Sequence, residues 1–399
     1  MSLRADAAAL HPELAALRRD LHRKPEIGLF LPRTQETVLS ALDGLGMEIT
    51  LGENLSSVTA VLRGGGGPGG TVLLRGDMDA LPVTEASGEE FSSTIDGAMH
   101  ACGHDLHTAG LVGAARLLAD RRDQLSGDVV FMFQPGEEGY DGAGHMLEEG
   151  VLTAAGRQVD AAYGLHVSSS TFARGLFTCR PGPLMSASDG LVVRVVGAGG
   201  HGSAPDRAKD PIPVACEMVT ALQTRMTRGF GAFEPVVLTV GNFHAGTRRN
   251  IIPDDAVFEA TVRSFDPEVR ERIRTEAVRL CEGIAAAHGV EVEVRYEAEY
   301  PATVNHAEGH EFVAETVREV FGEDRFNLLP HPMSGSEDFS RVLAKVPGAF
   351  VFLGATRAED PDSAPNNHSP RAAFDDSVLA DGATLLAELA CRQLALLAA

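Results

Sequence analysis

Leu10, Leu14, Leu17 and Leu21 recur at spacings of four and three, so the first predicted element is a helix with one apolar stripe. A second helix is expected to run to Leu45, capped by Thr34. Short apolar runs follow. Residues 58–62, 71–74, 128–133 and 160–165 read as strands, and 104–118 as a helix. Strands alternating with helices predict an α/β layer architecture. The run Gly64-Gly65-Gly66-Gly67-Pro68-Gly69-Gly70 reads as a hairpin loop between the first two strands. It lacks the Lys-Ser/Thr and following helix of a phosphate loop.

The middle of the chain has another rhythm. Residues 188–196 form a predicted strand, 211–228 a helix, 236–240 and 256–262 strands, 267–288 a helix and 290–294 a strand. Pro267 suits the first turn of its helix. This order is βαββαβ, the ferredoxin-like arrangement. The α/β rhythm then resumes, with a helix at 308–321, a strand at 349–353 and a terminal helix from Asp375. The expectation is an inserted domain, 187–298, within a discontinuous catalytic domain, 1–186 and 299–399.

Composition narrows the function. Lys plus Arg is 34 against 56 for Asp plus Glu, a net charge of −22. That balance argues against a nucleic-acid surface, which needs a basic stripe. No stretch approaches a membrane span, and no uninterrupted apolar segment near the start suggests a signal peptide. The five cysteines are widely and irregularly spaced, so reduced thiols and a cytoplasmic setting are expected.

Metal-competent side chains recur at predicted strand ends, where open α/β sheets form ligand sites. Asp77-Met78-Asp79 follows one strand, and Glu137-Glu138 follows another. His166 closes a third, and His368 comes after a fourth. Between them lies His100-Ala101-Cys102-Gly103-His104-Asp105. Gly103 lets the backbone turn so that Cys102 and His104 face one metal. A thiolate can bond two metals at once, so two divalent ions (Zn, Mn, Co or Ni) are expected. Asp105 or Asp79 would orient an imidazole. Taken singly, a buried thiol, two solvated carboxylates or a core histidine would each be unremarkable; their shared position at strand ends argues for a site. Cys179, Cys216, Cys281 and Cys391 are assigned to packing. Of the paired acids, Glu138 would bind metal, leaving Glu137 as a general base toward water acidified to about pKa 7. In the inserted domain, His201 sits between Gly200 and Gly202. With Asn250 and Arg263 it is a candidate for holding a substrate carboxylate or oxyanion.

As an ordered set spanning nearly the whole chain, these motifs resemble the M20 metallopeptidase family. Within it they resemble the aminoacylase/hippurate hydrolase subgroup that includes auxin-conjugate hydrolases. Also matching are Arg19-Asp20-Leu21-His22 with Pro25-Glu26, Asn250-Ile251-Ile252-Pro253, Thr261-Val262-Arg263, Ser336-Glu337-Asp338-Phe339 and His368-Ser369-Pro370. The resemblance implies a zinc-peptidase-like mixed-sheet catalytic domain with an inserted lid or dimerisation domain, in a homodimer or homotetramer. It implies Cys102, His104, Glu138, His166 and His368 as metal ligands, Glu137 as general base and Asp79 behind the ligands. His201 and Asn250 would bind substrate or stabilise the oxyanion, with His201 reaching a partner's site. Ser336 and Glu337 would lie near the substrate. The implied reaction is hydrolysis of small N-acyl-L-amino acids to a carboxylic acid and a free amino acid. A dipeptidase of the same fold is the alternative, and a non-catalytic metal-binding dimer a remote one. Asn367 departs from the pattern, standing where a hydrophobic residue is frequent; it is expected to touch the pocket and bear on substrate choice.

Overall fold

The apolar runs at 70–77, 161–168 and 348–354 are buried along their whole length, as strands of a sheet covered on both faces must be. The computed structural model describes residues 2–398. The outermost residues of the expected catalytic domain, 1 and 399, lie outside the described residues. The chain forms two compact units: one runs up to Leu184, then Val304–His331 and from Asp338 onward, and the other takes Met185–Thr303 and Pro332–Glu337.

The first unit is built on strands β1 (Glu48–Leu51), β2 (Val58–Arg63), β3 (Gly70–Asp77), β4 (Gly127–Gln134), β5 (Ala161–Ser168), β6 (Phe177–Cys179), β7 (Phe326–Leu328) and β8 (Gly348–Gly354). They form one mixed eight-stranded sheet in the order β1-β2-β4-β3-β5-β8-β6-β7. The four central strands, β4, β3, β5 and β8, are all parallel. Their carboxyl ends therefore share one edge, and it is this edge that carries the site. Helices Leu3–Arg23, His104–Ala119 and Leu379–Ala398 pack against one another and join the sheet's apolar core.

Two expectations fail here. The glycine-rich run does not close a hairpin, because β4 lies between β2 and β3, antiparallel to the first and parallel to the second. The run passes instead across the start of β4. A Cβ at Gly69 would sit 1.9 Å from the Ser126 carbonyl oxygen, so no larger residue fits. Thr34 does not cap the second helix, which spans Pro32–Leu42 with Pro32 in its first turn. The Glu26 carboxylate does so from outside, accepting from the Thr34 N–H at 2.9 Å and hydroxyl at 3.0 Å.

In the second unit, strands Ala187–Val196, Val237–Ala245, Asp255–Ser264 and Glu291–Tyr300 form an antiparallel sheet. Val237–Ala245 is one edge, followed by Asp255–Ser264, Ala187–Val196 and Glu291–Tyr300. With helices Pro211–Gly229 and Pro267–His288 this is the ferredoxin-like βαββαβ order. Asp210 and Asp266 cap the two helices through their carboxylates, and each is followed by Pro. Alternate residues Leu191, Val193 and Val195 point to the core with Phe258, Met218 and Ile273.

One buried ion pair ties the first helix to the helix that opens at His104. The Arg18 guanidinium is 2.6 Å from the Asp105 carboxylate and 2.9 Å from Asp376, and His22 Nδ1 approaches the same Asp105 oxygen at 2.8 Å. Burial alone would raise the Asp105 pKa; Arg18 and then His22 reverse this and hold it well below the carboxylate range. A depressed folded-state pKa contributes stability that is present above the unfolded value of about 3.9 and lost as pH falls. Arg18→Met leaves Asp105 buried without its cation, so urea unfolding at pH 7 should show a loss of about 3–5 kcal/mol. The gap to the parent protein should narrow as pH falls below about 4, because the unfolded chain takes up a proton on Asp105 there while the folded parent keeps its carboxylate ionised. A gap that does not change with pH would remove Asp105 as its source.

Candidate metal centre

Local backbone geometry presents the donor atoms. Gly103 has φ +83°, so the chain reverses between Cys102 and His104, and His104 opens its helix. Asp79 follows β3, and its two oxygens accept the Glu137 N–H at 3.0 Å and the Glu138 N–H at 3.1 Å. One carboxylate thus sets the turn that aims both acids. His166 lies in β5, where its Nδ1 donates to the Val167 carbonyl at 2.7 Å. That bond fixes the neutral tautomer and leaves the Nε2 lone pair facing Cys102 Sγ at 3.4 Å. His368 sits at φ 71°, a conformation rare outside glycine, which costs on the order of 1–3 kcal/mol and tends to cluster at functional sites. Its backbone N–H donates to the Ala101 carbonyl at 2.8 Å.

The five expected ligands come together in the first unit. Cys102, His104 and His166 offer one group of converging donor atoms; Cys102, Glu138 and His368 offer a second. The thiol is common to both. Glu138 Oε1 lies 3.1 Å from His368 Nε2 and 3.9 Å from His104 Nε2. Glu137, itself buried, joins His104 and Glu138 in a third group. Both ring nitrogens of His104 and Glu138 Oε1 are buried and make no well-formed hydrogen bond, facing one another or acidic and imidazole atoms 3.1–3.9 Å away. Bare buried donors are costly unless something else satisfies them. Thiolate, imidazole and carboxylate together suit a divalent transition metal, so the residues fit the metal centre expected of them.

Charge is arranged accordingly. Burial would lower His104, but Asp77 beside it raises its pKa well above the ordinary value. Cys102 and Glu138 raise His368 to about 10. Burial drives His166 well below the usual imidazole range, keeping it neutral.

The structure also shows partners that the sequence did not announce. His107 Nδ1 donates to Asp77 Oδ1 at 2.5 Å, and its Nε2 accepts the Val167 N–H at 2.8 Å. Arg75 neutralises the other Asp77 oxygen at 2.7 Å. The chain Arg75–Asp77–His107 therefore grips the strand end that carries His166. The available signal was His107 one helical turn after His104. Asp105 does not orient a ligand imidazole, because Arg18 and His22 engage its carboxylate. Asp79 does lie against one: its Oδ1 is 3.4 Å from His104 Nδ1.

The remaining candidates belong to the second unit. His201 pairs with Ile251 in a two-residue ladder and is exposed. Its Nδ1 accepts the Ser203 N–H at 3.2 Å, so the neutral ring carries its proton on Nε2. Gly202 N–H donates to the carbonyl of Asn250 at 2.9 Å, joining the two loops. Arg263 is half-buried and donates to the Ser188 hydroxyl at 2.6 Å. Ser336 is half-buried and Glu337 buried.

A partly parallel sheet with such a cluster at its carboxyl edge has the layout of a metal-dependent hydrolase. The chain belongs to peptidase family M20/M25/M40, whose profile matches residues 73–392. It is 39% identical over 98% of its length to "Thermostable carboxypeptidase 2" of Saccharolobus solfataricus, covering 98% of that protein. It is 34% identical over 96% of its length to "N-acetylcysteine deacetylase" of Bacillus subtilis, covering 97% of it. The crystal structure of Bacillus subtilis YXEP, described as a dinuclear metal-binding peptidase of the M20 family, superposes with a TM-score of 0.82 at 32% identity. That match covers 97% of this chain and 99% of the other.

Asp79→Ala removes the acceptor for two N–H groups without touching a donor atom. Metal retained after dialysis, and turnover with it, should fall about 10–100-fold. Unchanged metal content and turnover would show that the turn holds its acids unaided.

Proposed function

We propose that this protein hydrolyses the amide bond of N-acyl-L-amino acids, releasing a carboxylic acid and a free amino acid. The observation that carries the reading is the Glu137-Glu138 turn. Asp79 pins both backbone N–H groups, Glu138 joins the cluster of metal-type donors, and Glu137 stands buried beside it. The deacetylase relative supports the substrate class.

Cys102, His104, Glu138, His166 and His368 would hold two divalent ions, as the dinuclear relative supports. When bound, these supply Lewis acidity toward the scissile carbonyl and the attacking water. Glu137 takes the water's proton and returns it to the leaving nitrogen. His201, with its proton on Nε2, is built to donate to the developing oxyanion. Asn250 and Arg263 are the groups proposed for the substrate's carboxylate, and Ser336 and Glu337 for its surroundings. Residues 187–298 would act as lid and dimerisation domain. The exposed Val237 and Phe243 on the edge strand Val237–Ala245 support a homodimer. All five cysteines are unpaired, which supports a cytoplasmic setting. Among the described residues, no helix is long and apolar enough to cross a membrane.

The carboxypeptidase relative favours a second reading, in which the acyl group is itself an amino acid or peptide. Matched panels of N-acetyl amino acids and dipeptides separate the two, and higher kcat/KM on the acetylated series is expected. Consistently faster cleavage of dipeptides would overturn the first reading. Glu137→Gln should lose about 10²–10⁴-fold in kcat while keeping its metal. Activity that survives both this change and full chelation would falsify the mechanism.

A further inference from the structure

The loop that carries His368 leaves the sheet after β8, and His368 is the most solvent-exposed of the five proposed ligands, with 55% of its side chain open. Two of its features demand outside support: the positive φ of His368, and the need to bring a solvent-exposed imidazole against Cys102 and Glu138. The residue before it supplies that support. Asn367 Nδ2 donates to the Cys102 carbonyl at 3.3 Å and to the Val167 carbonyl at 3.1 Å. Its Oδ1 accepts the Ser169 N–H at 2.8 Å. This pattern fixes the amide orientation, because a flipped amide would oppose oxygen to two carbonyls and NH₂ to an N–H.

One side chain therefore joins three segments: the turn bearing Cys102, the end of β5 beyond His166, and the loop bearing His368. The contacts continue alongside it. Ser169 Oγ donates to the Pro365 carbonyl at 2.8 Å, and Ser170 Oγ donates to Asn366 Oδ1 at 2.5 Å. Asn367 Nδ2 faces two backbone carbonyls and, at 3.7 Å, the Cys102 sulfur, so its amide is engaged in holding the loop against the Cys102 turn.

We propose that Asn367 is a positioning residue of the metal centre, clamping the His368 loop onto the Cys102 turn and the end of β5, and thereby setting how firmly the site holds metal. This rests on the ligand role proposed for His368. The test uses the full-length protein stripped of metal and titrated with Zn²⁺ by calorimetry against a competing chelator. Asn367→Leu keeps the volume and removes the hydrogen bonds; Asn367→Ala serves if leucine disturbs folding. Zn²⁺ affinity should fall about 10–100-fold, the metal-free protein should still unfold in one cooperative step, and KM for an N-acetyl amino acid should hold while kcat drops. His368→Ala is the control. If it loses affinity while the Asn367 variants keep it, the clamp is overturned and the ligand reading stands. If it keeps full affinity, the ligand reading fails and the clamp with it. Parental affinity with an altered KM in Asn367→Leu would assign the residue to the substrate wall and overturn the proposal.

Discussion

The pairing of Arg75 with Asp77 is the interaction on which the metal edge depends. Both side chains are fully buried, so neither charge is tolerable without the other. Arg75 also donates to Gln134 at the end of β4 and meets Asp338 at 3.2 Å. Two neighbouring parallel strands are thereby locked at the end where the acids emerge. The negative charge left on Asp77 polarises His107, and His107 holds the Val167 backbone. The Val167 carbonyl in turn receives both His166 and Asn367. A single buried charge pair thus propagates, bond by bond, into the orientation of the imidazole and of the neighbouring loop.

This explains why the proposed ligands were legible in the sequence and their supports were not. A cysteine, histidines and a glutamate following apolar runs carry their own signal, since few other arrangements place them at strand ends. Asp77, His107 and Val167 meet only because β3, the following helix and β5 fold together; nothing in their spacing encodes the contact. Of the two acids that the sequence offers for orienting an imidazole, Asp79 lies against His104 and Asp105 does not, for the same reason. Its partners Arg18 and His22 come from the first helix, and Coulomb attraction in a buried setting outweighed adjacency to His104.

The fold divides along similar lines. The second unit was easy to read because local signals agree with its tertiary structure: Asp-Pro helix starts, alternating strands, and helices of about 20 residues. In the first unit, sequence neighbours β2 and β3 are separated by β4, and a glycine run that looked like a turn serves as a narrow crossing. The strands missed altogether, β1, β6 and β7, have three or four residues and lie toward the sheet's edges. Too few positions are present for periodicity to register.

The uneven exposure of the proposed ligands has a kinetic meaning. Cys102, His104 and His166 are buried on rigid elements and Glu138 is nearly so, whereas His368 faces solvent from a loop. An incoming ion would meet four donors already screened from water and a fifth still facing it. The clamp on the His368 loop would then act both on how favourably the ion is held and on how long it stays. Affinity and residence time would then move together, through the same loop.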